Sequence, residues 1–119
     1  MPLRLLIVDD HDVVRLGLRK LADLHARWEV CGEAGNGENA IAKVEELAPD
    51  VVILDVAMPG MNGFETAMRI RRMAPATKII LFSIQEVPAT ADQVGADAFV
   101  SKASGLSNLV ATVERLARG

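Results

Sequence analysis

The chain has 119 residues, half of them hydrophobic, and a formal net charge of −3 from 13 basic and 16 acidic side chains. This length suits one domain with a single core and leaves no room for two. Since the charge balance offers no basic surface to the nucleic-acid backbone, we do not expect this chain itself to bind DNA.

Nothing in the sequence indicates a membrane anchor or an exported protein. The first apolar run, Leu3 to Val8, is interrupted by Arg4 and is far shorter than the roughly 20 residues of a membrane-spanning helix. The single cysteine, Cys31, excludes an internal disulfide and is interpreted as a small buried hydrophobe. We therefore expect a cytoplasmic protein without a membrane partner.

Five short apolar runs predict the strands of a sheet. Leu5 to Val8, Val51 to Leu54 and Ile79 to Phe82 are continuous and rich in β-branched residues, as in parallel strands that are covered on both faces. The second run in chain order, Trp28 to Glu33, alternates and is predicted to lie at an edge. The fifth run, Ala98 to Val100, is short.

Between these runs, apolar residues recur every three or four positions, which is the period of a helix with one buried face. The four stripes are Val14, Leu18 and Leu21; Ile41, Val44 and Ala48, closed by Pro49; Phe64, Ala67 and Ile70, closed near Pro75; and Leu106, Leu109, Val110, Val113 and Leu116. The alternation predicts an α/β fold with a doubly wound, five-stranded parallel sheet and helices on both faces. Strand order 2-1-3-4-5 would place the first and third strands side by side.

Polar residues follow four of the five predicted strands. Asp9 and Asp10 follow the first strand, Asp55 follows the third, Ser83 follows the fourth, and Lys102 lies two residues after the fifth. Because the carboxyl ends of parallel strands meet at one edge of an open sheet, these side chains are expected to share one crevice.

Each of these residue types also has a structural explanation when it is taken alone. An acid after a strand can cap the following helix or complement its dipole, and we assign Asp12 to such a cap. A single loop acid, turn hydroxyl or surface lysine is equally ordinary. Their convergence on one crevice is what favours a functional site.

The acids of the crevice predict a metal and a reaction. Three carboxylates held close together raise one another's pKa unless a cation neutralises them, and hard oxygen ligands favour Mg²⁺, with Mn²⁺ as a substitute. Magnesium completes its shell with water and phosphate oxygens, while a hydroxyl and an ammonium can hold further phosphate oxygens. This combination indicates phosphoryl transfer, in which a carboxylate can become an aspartyl phosphate. The residues alone leave open which carboxylate reacts.

Four motifs in the right order resemble the receiver domain of bacterial response regulators, across essentially the whole chain. They are "VDDHD", "LDVAMPGMNGFE" around Asp55, Ser83 after an apolar strand, and "GADAFVSK" ending at Lys102. The resemblance implies a flavodoxin-like fold and one receiver domain over residues 1–119.

The resemblance also implies a role for each matched residue. Asp55 would be the phosphoacceptor, Asp10 a direct metal ligand, and Asp9 a ligand or a water-mediated partner, with the main-chain carbonyl of Ala57 as a further ligand. Ser83 and Lys102 would bind the phosphoryl group. Phe99 takes the place of the switch aromatic, and its alternative interpretation is a core residue.

The partners implied by the resemblance are a sensor histidine kinase, as the phosphate donor, and a second copy of the chain in a homodimer formed on phosphorylation. The stretches "HDVVRLGLRKL" and "VCGEAGNGENAI" resemble regulators with a LuxR-type helix-turn-helix output domain, which this chain lacks. We expect a chain cut at its receiver boundary or a stand-alone receiver. It would be a switch for transcription rather than an enzyme, and DNA would be bound only through the output domain.

The principal alternative is a haloacid-dehalogenase-like phosphatase. Its D-x-D signature fits "DHD", with Asp10 as nucleophile and Asp12 as acid/base. This interpretation lacks an acidic pair at a later strand end and leaves Asp55 unexplained. A purely structural flavodoxin-like module would explain none of the clustering.

Three further features receive structural interpretations. "GNGENA" satisfies a dinucleotide-binding pattern, but it follows the second strand and is interpreted as a turn that opens a helix. Arg69, Arg71 and Arg72 are interpreted as a solvated helix face, and His11 as a surface neighbour of the acids.

The segment between the fourth and fifth strands is shorter than in the family by about one helical turn. Pro88 suits a helix start and Gly95 the residue past its end, so the fourth helix is predicted to be short or irregular and to lie within Pro88 to Val94. Residues 84–95 are predicted to be the most mobile part. Any dimer is then expected to use the first or the last helix.

Overall fold

Five parallel strands form one sheet in the order β2-β1-β3-β4-β5, as predicted. The computed structural model describes residues 2–84 and 95–118. The strands are β1 (Leu3–Val8), β2 (Trp28–Ala34), β3 (Val51–Leu54), β4 (Lys78–Ser83) and β5 (Ala98–Ser101). The helices of these ranges are α1 (Asp12–Asp23), α2 (Gly37–Leu47), α3 (Gly63–Met73) and the C-terminal α4 (Leu106–Arg118), with a 3₁₀ turn at Lys102–Ser104.

Each face of the sheet packs against two helices and forms its own hydrophobic core, which confirms the doubly wound, flavodoxin-like architecture. Since successive strand residues point to opposite faces, Leu6 and Val52 pack with α2 and α3, whereas Leu5 and Ile53 pack with α1 and α4. All four strand residues are at most 4% exposed. Both faces of the central strands are therefore covered, which explains their continuous apolar sequence.

The edge strand β2 carries one residue more than its partner. Leu5 pairs with Val30 and Leu6 with Gly32, so Cys31 is the extra residue of a bulge. The Cys31 thiol donates to the carbonyl of Leu5 at 3.4 Å and is partly rather than fully buried. Burial raises the pKa of this thiol above its ordinary value.

Helices α2 and α3 both begin at an asparagine. The side-chain oxygen of Asn36 accepts from the main-chain N–H of Asn39 at 2.8 Å, and that of Asn62 accepts from Glu65 at 2.9 Å. The interpretation of "GNGENA" as a turn opening a helix is thus confirmed.

Helix α1 begins differently, and the assignment of Asp12 to its cap is wrong. His11 occupies the N-cap position, without a side-chain cap bond among the described residues, and Asp12 is the first helical residue. Asp12 instead forms an ion pair with Arg15 and places negative charge in the first turn. The cap position is one residue earlier, and the main-chain N–H of that residue, His11, donates to Oδ1 of Asp9 at 2.9 Å.

Arg71 contradicts the interpretation of the arginine cluster as a solvated face. Its Nε donates to the carbonyl of Gly95 at 2.9 Å, and its guanidinium pairs with Asp97. Asp97 also accepts from the main-chain N–H of Ile79 at 2.7 Å. Arg71 therefore joins α3 to the start of β5, whereas Arg69 forms an exposed pair with Glu65 in the preceding helical turn.

The predicted short fourth helix and the mobility of residues 84–95 lie outside the described residues, except at the two ends of that segment. Gly95 has a φ of +85°, which glycine adopts without strain. Within the described ranges, no helix has both the length and the apolar character needed to cross a membrane.

Candidate functional site

Two acids are fixed side by side by the backbone of the sheet. The N–H of Asp9 donates to the carbonyl of Ala34 at 3.0 Å, and the N–H of Asp55 donates to that of Val8 at 2.9 Å. Each bond continues the strand ladder by one residue. The residues that directly follow β1 and β3 therefore occupy positions set by strand pairing.

Four side chains can direct a ligand atom toward one point at this edge. The candidate donor atoms of Asp9, Asp10, His11 and Asp55 all lie within 4.8 Å of one another. Asp9 and Asp55 are 2% and 4% exposed, and the Asp10 side chain is 27% exposed. The predicted convergence of the three aspartates is confirmed.

Lys102 reaches into this acidic cluster. Its Nζ donates to Oδ2 of Asp9 at 2.8 Å and lies 3.6 Å from Oδ1 of Asp55. The ammonium also lies 5.5 Å from the ring centroid of Phe82. With a side chain only 15% exposed, Lys102 is not the solvated surface charge of the alternative interpretation.

The environment perturbs the ionisation of the Asp55 carboxyl. Its pKa is raised above the ordinary value, first by burial and then by the negative charge of Asp9. The Lys102 ammonium and the main-chain N–H of Ala57, 3.4 Å from Oδ1, oppose this rise. The contact with Ala57 is through its amide, and the role of its carbonyl as a metal ligand stays a prediction.

Gly63 packs directly against the main chain of Asp55, a contact that was not predicted from the sequence. A Cβ at this position would lie 2.4 Å from the carbonyl oxygen of Asp55, so only glycine fits. The N–H of Gly63 donates to the carbonyl of Val56 at 2.9 Å. The available signal was Gly63 directly after the capping Asn62, at the start of the next predicted helix.

His11 contacts the acids directly, whereas the sequence predicted only a surface neighbour of them. Its Nδ1 lies 3.0 Å from Oδ1 of Asp9 and 3.1 Å from Oδ1 of Asp10. Its main-chain N–H donates to Oδ1 of Asp9 at 2.9 Å. The side chain is nevertheless 64% exposed, so His11 lies at the mouth of the cluster.

Arg15 holds the main chain of the same loop and was also missed. Its guanidinium donates to the carbonyl of Asp9 and lies 3.2 Å from Glu33 on β2. The helical spacing from the acids to Arg15 was visible in the sequence, but the partner on β2 was not.

Ser83 and Phe99 differ in their surroundings. Ser83 is fully buried at the end of β4 and pairs in register with Ser101. Phe99 is 37% exposed on β5, so its alternative interpretation as a core residue is wrong. Its neighbour Val100 faces the core instead, as strand alternation requires. The switch roles of Ser83 and Phe99 stay predictions.

Comparison with known proteins agrees with this geometry. The family described as "Response regulator receiver domain" matches residues 5–114. Response regulator GacA of Pseudomonas viridiflava is 38% identical over 98% of the chain and 56% of its own length. The nitrate/nitrite response regulator NarL of Escherichia coli is 36% identical over 99% of the chain and 56% of its own length.

Solved structures give the same result. A two-component response regulator of the LuxR family from an Aurantimonas species superposes with a TM-score of 0.92 at 33% identity, over 98% of this chain and 86% of that one. The comparisons lend no support to the phosphatase alternative. The chain spans about half the length of the curated relatives it matches, 56% for GacA and NarL. It belongs to the family of response regulator receiver domains, which act in two-component signalling, and LuxR-type regulators are among its relatives.

Proposed function

We propose that Asp55 accepts a phosphoryl group from a sensor histidine kinase in a Mg²⁺-dependent reaction, and that the domain switches a transcriptional output instead of turning over a substrate. The observation that carries this proposal is the buried Asp55 carboxylate, with the Lys102 ammonium 3.6 Å away and a second buried acid, Asp9, beside it. The regulators to which the chain is similar support the same conclusion.

The residues fit a magnesium ion. Response regulator receivers bind Mg²⁺ at an acidic pocket. In this chain Oδ1 of Asp10 is buried and makes no hydrogen bond with any described residue, although it faces the other acids. A cation would satisfy this oxygen and reduce the repulsion among the carboxylates. Asp9, Asp10 and Asp55 would hold the ion, with the Ala57 carbonyl as the predicted further ligand.

In the transfer, a carboxylate oxygen of Asp55 attacks the phosphorus of phosphohistidine. The new P–O bond forms as the P–N bond breaks, and the electron pair of the broken bond remains on the imidazole nitrogen, which then takes up a proton. A Mg²⁺ ion held by the acids would supply positive charge that stabilises the transferring group. Lys102 supplies further positive charge, since its ammonium already lies between Asp9 and Asp55.

The switch follows from competition for Lys102. A phosphoryl group adds nearly two negative charges at Asp55, so its oxygens compete with Asp9 for the ammonium. Ser83 and Phe99 are proposed to respond from β4 and β5, which shifts the population between two arrangements of this side of the domain. A homodimer formed on phosphorylation, and DNA binding through an output domain, complete the proposal.

The test is phosphorylation by acetyl phosphate or phosphoramidate, followed by intact mass. The wild-type chain is expected to gain one phosphate when Mg²⁺ or Mn²⁺ is present, and Asp55→Asn is expected to gain none. Asp12→Asn is the matched control, because Asp12 is a nearby acid whose side chain is 90% exposed and paired with Arg15. It is expected to be labelled like the wild type.

The same pair of variants separates the switch from the phosphatase. If Asp10 were the nucleophile and Asp12 the acid/base, Asp55→Asn would still be labelled and Asp12→Asn would be impaired. Sustained release of phosphate over many turnovers would also contradict the proposal.

A further inference from the structure

The imidazole of His11 lies beside two carboxylate oxygens of the proposed metal site. Donor atoms bound to Mg²⁺ or a similar octahedral cation at about 2.1 Å are separated from their neighbours by about 3.0 Å. Nδ1 of His11 is 3.0 Å from Oδ1 of Asp9 and 3.1 Å from Oδ1 of Asp10. These two separations are compatible with two edges of an octahedron that meet at Nδ1.

Hydrogen bonding within the protein satisfies only part of this group of atoms, because Nδ1 of His11 lies within hydrogen-bond distance of Oδ1 of Asp9, at 3.0 Å. Oδ1 of Asp9 already accepts the main-chain N–H of His11 at 2.9 Å. Oδ1 of Asp10 is buried and makes no hydrogen bond with any described residue, although Nδ1 is near. Because Nδ1 carries at most one hydrogen, it cannot donate well to both oxygens. A cation facing Nδ1 and both oxygens would also satisfy the Asp10 oxygen, which the hydrogen bonds leave without a partner among the described residues.

We propose that His11 donates Nδ1 to the metal ion held by Asp9 and Asp10, so that this receiver site has a mixed nitrogen and oxygen ligand set. The inference rests on the proposed metal site. Imidazole is a good ligand for transition-metal cations, whereas Mg²⁺ prefers oxygen and gives up its water reluctantly. Compared with a site of oxygen ligands alone, this one is expected to favour Mn²⁺ over Mg²⁺.

The direct test is electron spin echo envelope modulation of the Mn²⁺-loaded chain, which detects a nitrogen nucleus bonded to the ion. The experiment is done at about pH 8, where an ordinary imidazole is neutral. The wild type is expected to show ¹⁴N modulation, and ring-¹⁵N histidine is expected to replace it with the ¹⁵N pattern. His11→Ala is expected to bind Mn²⁺ and to lose the modulation.

His25 offers a matched control, because it is the only other histidine of the chain. Its ring stacks on Trp28 with centroids 4.1 Å apart, and Trp28 pairs with Leu3 at the opposite end of β1 from Asp9. His25→Ala is therefore expected to keep the modulation. Since the His11 side chain is largely exposed, His11→Ala is expected to fold normally.

Affinity gives a second readout. Loss of a supporting histidine contact at a metal site commonly costs about tenfold or more in affinity, and His11→Ala is expected to lose at least that much for Mn²⁺ and less for Mg²⁺. His25→Ala is expected to bind both ions as the wild type does.

The possible failures are distinguishable. Mn²⁺ bound by the wild type without histidine modulation, or an unchanged Mn²⁺ affinity in His11→Ala, would overturn the role of His11 and leave the proposed function intact. Modulation lost in His25→Ala but kept in His11→Ala would also overturn it. A wild-type chain that binds neither Mn²⁺ nor Mg²⁺ would overturn the proposed metal site together with this inference.

Discussion

Lys102 is a partly buried cation that balances two buried acids. Its Nζ is 2.8 Å from Asp9 and 3.6 Å from Asp55, and both carboxylates are at most 4% exposed. Removing the ammonium leaves these negative charges without that partner, so its contribution exceeds that of an ordinary surface lysine.

We predict that Lys102→Ala lowers the free energy of unfolding in EDTA by about 1–3 kcal/mol. Added Mg²⁺ is expected to recover most of this loss, because the ion replaces the missing positive charge. Phosphorylated Lys102→Ala is also expected to show a smaller NMR shift map than the wild type. Urea titrations with and without Mg²⁺ measure the stability. A variant as stable as the wild type in EDTA would contradict the pairing.

Asp55 is predicted to make the stability of the metal-free domain depend on pH. Burial and Asp9 raise its folded-state pKa above the ordinary value of 3.8, so the folded state resists ionisation of this carboxyl. As the pH rises from 3.8 through the raised value, the unfolded state loses its proton first and stability falls. Asp55→Asn removes this penalty. In EDTA, its stability advantage over the wild type is expected to be absent below pH 3.8 and to grow above it.

Urea unfolding over this pH range measures the effect. Asp23→Asn, a change of an exposed acid on α1, is the control and is expected to run parallel to the wild type. An Asp55→Asn advantage that was constant with pH would show that the gain arises from something other than ionisation.

The sequence predicted which residues meet at the site but not how they are satisfied. The strand-end rule brought Asp9, Asp10 and Asp55 together correctly. It could not show that Lys102 is buried, because a lysine two residues after a strand looks the same whether its side chain turns inward or outward. The contacts of His11 depend on the path of the loop before α1, which no spacing rule determines.

At the level of elements, α1 connects the acidic loop to the edge of the sheet. Arg15 and Arg19 lie one turn apart on this helix, and both pair with Glu33 of β2. Only Arg15 also donates to the main-chain carbonyl of Asp9. Comparing substitutions of the two arginines therefore distinguishes the support that Arg15 gives to the site from the helix–strand contact that both residues make with Glu33.

We predict that Arg15→Ala weakens Mg²⁺ binding several-fold and lowers stability by about 1–2 kcal/mol, because the loop that carries Asp9 loses a partly buried hydrogen bond. Arg19→Ala is the control, and it is expected to leave Mg²⁺ binding unchanged. Calorimetric titration measures the affinity and urea unfolding the stability. An equal loss of affinity in both variants would show that only the shared contact with Glu33 matters.

Elements were predictable where one physical signal dominates. The continuous apolar runs predicted β3 at its observed bounds and β1 and β4 to within two residues at either end. The bulge at Cys31 was not predictable, because an alternating edge sequence does not reveal an extra residue in the register. Arg71 was interpreted wrongly for a related reason: its partner Asp97 lies 26 residues away in the chain.

For the whole molecule, we expect metal binding and folding to be coupled, because the proposed ligands Asp9 and Asp55 come together only when β1 and β3 are paired. Wild-type stability is expected to rise with Mg²⁺, by about 2.7 kcal/mol when the free ion is at one hundred times its Kd. Asp10→Ala is expected to lose most of this gain. In EDTA it is expected to be at least as stable as the wild type, since the substitution relieves carboxylate repulsion.

Thermal or urea unfolding at several Mg²⁺ concentrations measures this coupling. A large loss of metal-free stability in Asp10→Ala would instead show that this acid supports the start of α1. Asp12→Asn, which changes the exposed acid of the same loop, is expected to respond to Mg²⁺ like the wild type.

The main-chain hydrogen bonds donated by Asp9 and Asp55 belong to the sheet ladder, and this affects how often the backbone of the site exchanges with solvent. Amide hydrogens in a paired strand exchange with solvent only when the strands separate, whereas loop amides exchange through local fluctuations. The amides of Asp9 and Asp55 are therefore expected to exchange as slowly as those within β1 and β3. The proposed phosphoacceptor, Asp55, would then lie on a backbone that stays closed between unfolding events, while the proposed switch changes only the partners of the side chains.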